Sequence, residues 1–188
     1  MKLFIFMGAS GSGKSSIQHS LPISFMTNYT TRPLREGEID GYHINQISHE
    51  EFIKYQREGL FYETTEYAGN LYGTPQHSIE NLLSGTPYHC TKDINGAKTL
   101  KEGLGDRSVI IYIKPPSLDV FATRMLKRGD NESNIKRRLE YLKKTNEIEN
   151  EKYADYVIIN DDLKKAQIEA HQIVIKELLK AKGTYHEQ

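Results

Sequence analysis

The sequence predicts an α/β fold in which helices cover a parallel sheet, and two observations support that prediction. Apolar runs typical of buried strands occur at residues 3–7, 109–113 and 156–159. Apolar residues at helical spacing separate and follow these runs, at 118–126 and from about Asp162 onward. Strands that alternate with helices in this way favour a layered α/β core.

The first apolar run leads directly into a segment rich in glycine and serine that matches the P-loop pattern at every fixed position. Its glycines let backbone N–H groups surround a polyphosphate, the Lys14 ammonium reaches the β and γ phosphates, and the Ser15 hydroxyl ligates magnesium. The segment therefore predicts a P-loop NTPase core that binds a nucleoside triphosphate. The expected ligands are Gly8, Ala9, Ser10, Gly11, Ser12, Gly13, Lys14, Ser15 and Ser16.

A helix is expected directly after the P-loop, and Pro22 requires it to end early because proline is costly inside a helix. Residues 28–74 then differ from the flanking segments, since they are rich in tyrosine, threonine, glycine and charge and contain only short extended stretches. This composition predicts an inserted lobe. Ser48 and Glu51 mark one helix with a capping box, and Thr74 is a candidate cap for a second.

Two further helices follow the second and third apolar runs. Leu118, Phe121, Met125 and Leu126 share one face, and Gly129 ends that pattern. The last helix begins near Asp162 and carries an apolar face made of Leu163, Ala166, Ala170, Ile173 and Val174. Each of these helices is expected to bury one face against the sheet.

Composition limits the classes of partner. The 25 basic and 25 acidic side chains cancel, so no overall positive field attracts nucleic acid or an anionic membrane. Cys90 is the single cysteine, which rules out an intrachain disulfide and fits a reducing compartment. No apolar stretch approaches the roughly 20 residues of a membrane span. The sequence therefore predicts a cytoplasmic protein of one domain with small-molecule partners, and it is silent on oligomeric state.

Short segments along nearly the whole chain resemble guanylate kinases, in the order that this family has them. These are 28–38, 41–42, 61–63, 69–74, 93–96, 115–117 and 157–162. The resemblance implies a three-layer P-loop core at 1–27, 87–120 and 141–188, a GMP-binding lobe at 28–86 and a helical lid at 121–140. It also implies transfer of the γ-phosphoryl group from MgATP to GMP, and to dGMP as well.

The arginines and tyrosines of the inserted lobe suit a monophosphate. Arg32 and Arg35 are three residues apart in a loop, where two guanidinium groups can grip phosphate oxygens with charge-assisted hydrogen bonds. The family resemblance places the hydroxyls of Tyr42 and Tyr72 on the same phosphate. These four residues are the expected phosphate site of the acceptor.

A guanine base presents two adjacent donors, N1–H and the exocyclic amine, which call for carboxylate acceptors. The resemblance assigns Glu63 and Asp93 to that role and places Thr74 near the base; Asp93 could equally face the water shell of magnesium. Asn28 stands where the family usually has serine, which leaves contact with O6 possible and makes the preference among bases less certain. Lys92 is expected to face solvent at a sheet margin.

The lid is expected to supply arginines that stabilise the charge on the phosphoryl group in flight. Arg124 and Arg128 are four residues apart on one helical face, and Arg138 matches a lid position of the family. Two alternatives stay open: the same fold could phosphorylate a different nucleoside monophosphate or a sugar phosphate, or the chain could be a binding module without catalysis. The intact P-loop argues against the second alternative.

Overall fold

A computed structural model describes residues 1–9, 11–67, 69–127, 129, 131–145 and 147–183, without the side chains of 118, 134, 137, 138, 141, 143–145, 147 and 148. The elements, in chain order, are β1 (Leu3–Met7), α1 (Lys14–Gln18), β2 (Ser24–Phe25), β3 (Tyr29–Thr30), β4 (Asn45–Gln46), α2 (His49–Arg57), β5 (Phe61–Tyr67), β6 (Asn70–Pro75), α3 (Gln76–Leu83), β7 (Tyr88–Thr91), α4 (Ile94–Leu104), β8 (Ser108–Lys114), α5 (Leu118–Lys127), α6 (Glu132–Thr145), β9 (Tyr156–Ile159) and α7 (Leu163–Ala181). Short 3-10 helices cover Gly105–Arg107 and Glu147–Tyr153.

The chain forms two compact units. The first contains Met1–Leu3 and Ile23–Ser108, and the second contains Phe4–Pro22 and Val109–Gln188. Each unit contains residues that the sequence assigns to nucleotide binding. No described helix is apolar enough over a sufficient length to serve as a transmembrane span.

The second unit is built on β1, β8 and β9, the three strands that the sequence predicts. β8 lies between the other two and pairs with β9 in parallel, with Ile111 opposite Tyr156. All five residues of β1 are buried, but Val157 and Ile159 of β9 are 40% and 56% exposed. The prediction of a buried strand is therefore wrong for one face of β9, which is the last strand in the sheet order.

The first unit contains a four-stranded sheet in the order β4-β3-β6-β5, and β2 pairs with β7 in parallel. β5 and β6 form an antiparallel pair in which Glu63 lies opposite Thr74. β3 is also antiparallel to β6, with Thr30 opposite Tyr72. This register aligns residues that the sequence assigns to the acceptor nucleotide.

Local signals set most helix ends. The capping box of α2 is present, because Ser48 Oγ accepts from Glu51 N at 3.1 Å and Glu51 Oε2 accepts from Ser48 N at 2.9 Å. α1 has only five residues and ends before Pro22, as predicted. Gly129 follows α5 with a φ of 89°, and its N–H donates to the Leu126 carbonyl.

Four further side chains differ from the sequence-based expectation. Thr74 lies in β6 and does not cap α3, which starts after Pro75 with no side-chain cap. Leu126 and Leu163 were expected on buried helix faces but are 51% and 42% exposed. Lys92 was expected at the surface but is only 6% exposed. A buried lysine must have polar partners in place of water.

The capping box of α2 supplies a test of local stability. Ser48→Ala should lower the free energy of unfolding by about 1 kcal/mol at neutral pH, while Ser48→Thr, which keeps a hydroxyl, should cost less. The backbone hydrogen bond from Ser48, followed by the bond from its hydroxyl, holds the pKa of Glu51 below its usual value. The Glu51 contribution is therefore complete above the usual carboxyl pKa and is lost as the pH falls through the lowered pKa of the folded protein.

Urea unfolding of both variants at pH 7 and at stepwise lower pH measures this effect. The destabilisation by Ser48→Ala should become smaller as Glu51 takes up a proton, because the neutral carboxyl no longer accepts strongly from the Ser48 hydroxyl. A loss that stays constant or grows while Glu51 is protonated would contradict the contribution of Glu51 to the capping box.

Candidate active site

The P-loop of the second unit needs glycine at two positions for both conformation and space. Gly8 has a φ of 134°, and a Cβ there would lie 2.3 Å from the Ile113 carbonyl oxygen. Gly13 has a φ of 96°, and a Cβ there would lie 2.1 Å from Asn160 Nδ2. The loop backbone is therefore packed closely against the end of β8 and the residue that follows β9. A loop fixed in this way can present its N–H groups to a polyphosphate.

Lys14 folds back over the loop. Its Nζ donates to the carbonyl oxygens of Gly8 at 2.5 Å and Ala9 at 2.9 Å. Ser12 is fully buried, and its Oγ has no hydrogen-bond partner among the described residues. Ser15 is exposed in the first turn of α1. Ser16 is exposed as well, whereas Ser10 lies outside the described residues.

Asn160 links the P-loop to the predicted lid within the second unit. Its side-chain Nδ2 donates to the Ser12 backbone carbonyl at 2.8 Å, and its backbone carbonyl accepts from Arg124 Nη2 at 2.8 Å. Asn160 Oδ1 and Arg124 Nη1 are buried without a described partner. In the sequence, Asn160 was considered only as part of the family segment 157–162. Its position just after β9 could have indicated a site residue, because ligands of α/β folds bind at the carboxyl ends of strands.

The three lid arginines are described to different extents. Arg124 lies on α5, half-buried, and contacts the Asn160 carbonyl. Arg128 lies outside the described residues, and Arg138 belongs to α6 without a described side chain. Convergence of these three arginines stays a prediction.

In the first unit, Arg32 is held by an acidic residue. Its Nη2 lies 2.9 Å and 2.8 Å from the two carboxylate oxygens of Glu38, and Glu38 Oε2 also accepts from Arg35 N at 2.7 Å. Burial alone would raise the pKa of Glu38, but the hydrogen bonds from Arg35 and Arg32 and the charge of the two arginines hold it below its usual value. Glu38 is thus an anion, and it orients the Arg32 guanidinium. Glu38 was not singled out from the sequence pattern.

The two tyrosines of the predicted phosphate site differ in exposure. Tyr42 is 70% exposed, and its ring stacks edge-on against His43 at 4.8 Å. Tyr72 is half-buried on β6, opposite Thr30 of β3 and Thr65 of β5. Their hydroxyl contacts with a phosphate stay a prediction.

Glu63 lies in a buried polar cluster rather than alone. Its Oε2 accepts from Thr74 Oγ1 at 2.8 Å and forms an ion pair with Lys92 Nζ at 3.0 Å; Lys92 also contacts Thr74 Oγ1. The side chains of Lys92 and Glu63 are 2% and 1% exposed. Glu63 Oε1 has no described partner. The proximity of Thr74 to Glu63 fits its expected place near the base, and the role of Lys92 is one that the sequence missed.

Asp93 performs a structural task in addition to any role at the base. Its Oδ1 accepts from Gly96 N at 2.8 Å and so caps α4, and its Oδ2 accepts from Thr65 Oγ1 at 3.1 Å. Asn28, just before β3, is 7% exposed, and its Oδ1 has no described partner. Rotation of the Asn28 amide exchanges its donor and acceptor ends, so it can meet either kind of group on a base.

Buried polar atoms without partners are uncommon in folded proteins and need an explanation. Among the described residues they belong to five side chains, which are Ser12, Asn28, Glu63, Arg124 and Asn160. Four of these are predicted nucleotide ligands, and Asn160 contacts the P-loop. Apart from Asn160, the unpartnered atoms thus belong to residues predicted for the ATP side in the second unit and for the acceptor side in the first.

The residues present also fit a magnesium ion that arrives with a nucleotide. Mg²⁺ keeps several waters and takes few protein ligands when phosphates supply the rest. The described residues contain no group of three acidic, histidine or cysteine side chains able to hold a metal. The exposed Ser15 hydroxyl is a suitable single ligand.

Comparison with known proteins adds to this geometry. A family model described as guanylate kinase matches residues 1–177. The guanylate kinase of Chlorobium luteolum is 36% identical over 190 residues, which cover 97% of this chain and 95% of that protein. That of Neisseria gonorrhoeae is 37% identical over 180 residues, which cover 92% and 86%. A crystal structure of guanylate kinase from Anaplasma phagocytophilum superposes with a TM-score of 0.74 at 24% identity, over 99% and 97% of the chains. The α/β P-loop kinase fold is confirmed.

Gly96 supplies a test of the buried cluster. A Cβ at this position would lie 2.8 Å from Glu63 Oε1, and the other Glu63 oxygen is held by Lys92 and Thr74. Gly96→Ala should therefore destabilise the protein by about 1–3 kcal/mol, although alanine favours helix more than glycine does. Asn95→Ala, at the preceding exposed position of α4, is the matched control and should be neutral or stabilising. Thermal unfolding compares them; a Gly96→Ala protein as stable as the parent would contradict the tight packing at Glu63.

Proposed function

The chain belongs to the guanylate kinase family, and from that membership we infer that it transfers the γ-phosphoryl group of ATP to GMP, giving ADP and GDP. The match of the family model over residues 1–177 carries this conclusion. We propose dGMP as a second acceptor, because none of the contacts assigned below involves the ribose 2′-hydroxyl. The presence of an intact P-loop does not favour the alternative of a binding module.

On the donor side, we propose that the P-loop holds the phosphates of ATP. Its backbone N–H groups surround the polyphosphate, and Lys14 exchanges its carbonyl partners for the β and γ phosphate oxygens. The two carbonyl acceptors that Lys14 leaves are replaced by anionic phosphate oxygens, so that both donor and acceptor are then charged. Bound Mg²⁺, held by Ser15, would neutralise part of the phosphate charge.

On the acceptor side, Arg32 and Arg35 bind the phosphate of GMP. The Glu38 carboxylate lies 2.8–2.9 Å from Arg32 and keeps its guanidinium oriented. A phosphate that binds Arg32 must therefore compete with the Glu38 carboxylate for the same donors. Tyr42 and Tyr72 add hydroxyl donors. A phosphate with two negative charges is the stronger partner, and Arg35 contributes a second guanidinium.

For the base, Glu63 and Asp93 accept the N–H groups of guanine, with Asn28 facing O6. Adenine has an acceptor at N1, which would oppose the unpartnered Glu63 Oε1. Mismatches of that kind in a buried site cost on the order of 10⁴-fold in discrimination. The acceptor half-site therefore favours GMP over AMP.

The chain's residues act through position and charge. The phosphate oxygen of GMP is the nucleophile and is already ionised at neutral pH, so no general base is needed. Lys14 and the lid arginines stabilise the charge that spreads over the transferred phosphoryl group. Arg124 can keep its Nη2 contact with the Asn160 backbone carbonyl, because Nη1 has no described partner and is the donor that we assign to a phosphate oxygen.

A panel of acceptors tests the function. ADP release from MgATP should be seen with GMP and dGMP, and should be at least about 100-fold slower with AMP, CMP and UMP at equal concentration. Activity with another nucleotide alone would overturn the assignment of the acceptor. Absence of activity with every acceptor in a folded protein would overturn the assignment of catalysis.

Two substitutions separate the half-sites. Lys14→Ala should lower kcat by about 10³-fold or more, because it removes a charge aimed at the transferred phosphoryl group. Arg35→Ala should chiefly raise the KM for GMP, by about 10- to 100-fold, because each hydrogen bond to a charged group is worth about 1.5–3 kcal/mol. Steady-state kinetics with Lys182→Ala and Arg57→Ala, exposed cations of the respective units, provide the controls. Near-normal turnover by Lys14→Ala would refute the mechanism.

A further inference from the structure

The Glu63 carboxylate is not free to use both of its oxygens. Oε2 already accepts from Thr74 Oγ1 at 2.8 Å and from Lys92 Nζ at 3.0 Å. A carboxylate oxygen has two lone pairs, so these two donors saturate it. Oε1 is buried and has no partner among the described residues.

The fold fixes this asymmetry from three elements of the first unit. β5 carries Glu63 and β6 carries Thr74 directly opposite it. Lys92 lies between β7 and α4, and Gly96 in the first turn of α4 passes so close to Oε1 that a Cβ there would lie 2.8 Å away. The carboxylate is therefore held through one oxygen, while the other is buried beside Gly96, where a larger residue would crowd it.

We propose that Lys92 is a positioning residue for recognition of the base. It orients Glu63 so that Oε1 alone is offered to the N–H groups of the purine edge. This inference rests on the function proposed above, and it identifies a residue that does not itself touch the acceptor nucleotide. Burial of both side chains supports it, because neither charge has water as an alternative partner, and removal of Lys92 would take away the cation that holds Glu63 Oε2.

Lys92→Met keeps the aliphatic stem and removes the charge. We expect the KM for GMP to rise about tenfold or more, as for loss of one hydrogen bond to a charged group, while kcat at saturating GMP changes by less than about threefold. The KM for ATP should not change. Lys54→Met is the matched control, since Lys54 lies in the same unit with its side chain 66% exposed.

A double-mutant cycle distinguishes positioning from a general structural role. If Lys92 acts only through Glu63, then Glu63→Gln combined with Lys92→Met should have the KM for GMP of Glu63→Gln alone, within about threefold. The double variant should also melt higher than Lys92→Met, because no buried charge is left without its partner. If the effects of the two single substitutions multiply, the proposal is overturned, as it is by an unchanged KM in folded Lys92→Met.

Should Lys92→Met fail to fold, calorimetric titration of GMP into Glu63→Gln and into the double variant still decides the question. Equal affinities support the proposal, and a clearly weaker double variant overturns it. Failure of the proposed function has a different signature, namely no ADP release by the unsubstituted protein with GMP.

Discussion

Charged side chains that we propose to bind nucleotide have partners of opposite polarity within the protein itself. Lys14 donates to carbonyls of its own loop, Arg32 is paired with Glu38, and Glu63 is paired with Lys92 and Thr74. Each partner resembles the ligand group that we propose for the same side chain. Oxygen atoms surround the cations in place of phosphate oxygens, and hydrogen-bond donors surround the carboxylate in place of the N–H groups of the base. The cost of burying these charges is thereby reduced without removing their ability to bind.

The backbone carries this arrangement because strand register and tight turns fix where each partner lies. The β5–β6 register places Thr74 beside Glu63, and the close approach of Gly13 to Asn160 fixes the P-loop against the end of β9. Glu63 Oε1 and Arg124 Nη1 still lack a described partner, and we propose that ligand atoms supply it.

Features with a local cause were predictable from the sequence. The P-loop motif, the α2 capping box and the early end of α1 each depend on residues within a few positions of one another. The family and its reaction followed from motifs in order along the chain. Lys92 was misjudged because its burial depends on Glu63, which is 29 residues away in sequence. The exposed face of β9 had the same origin, since the sheet order is not encoded in the strand's own pattern.

We propose that the buried Glu63 carboxylate of the first unit, paired with Lys92, distinguishes guanine from adenine. Isothermal titration calorimetry of GMP and AMP into the protein without ATP measures this most directly, because the donor half-site and the lid then contribute no phosphoryl transfer. GMP should bind at least about 100-fold more tightly than AMP, and Glu63→Gln should remove most of that difference. Equal affinity of the unsubstituted protein for the two nucleotides would contradict the account.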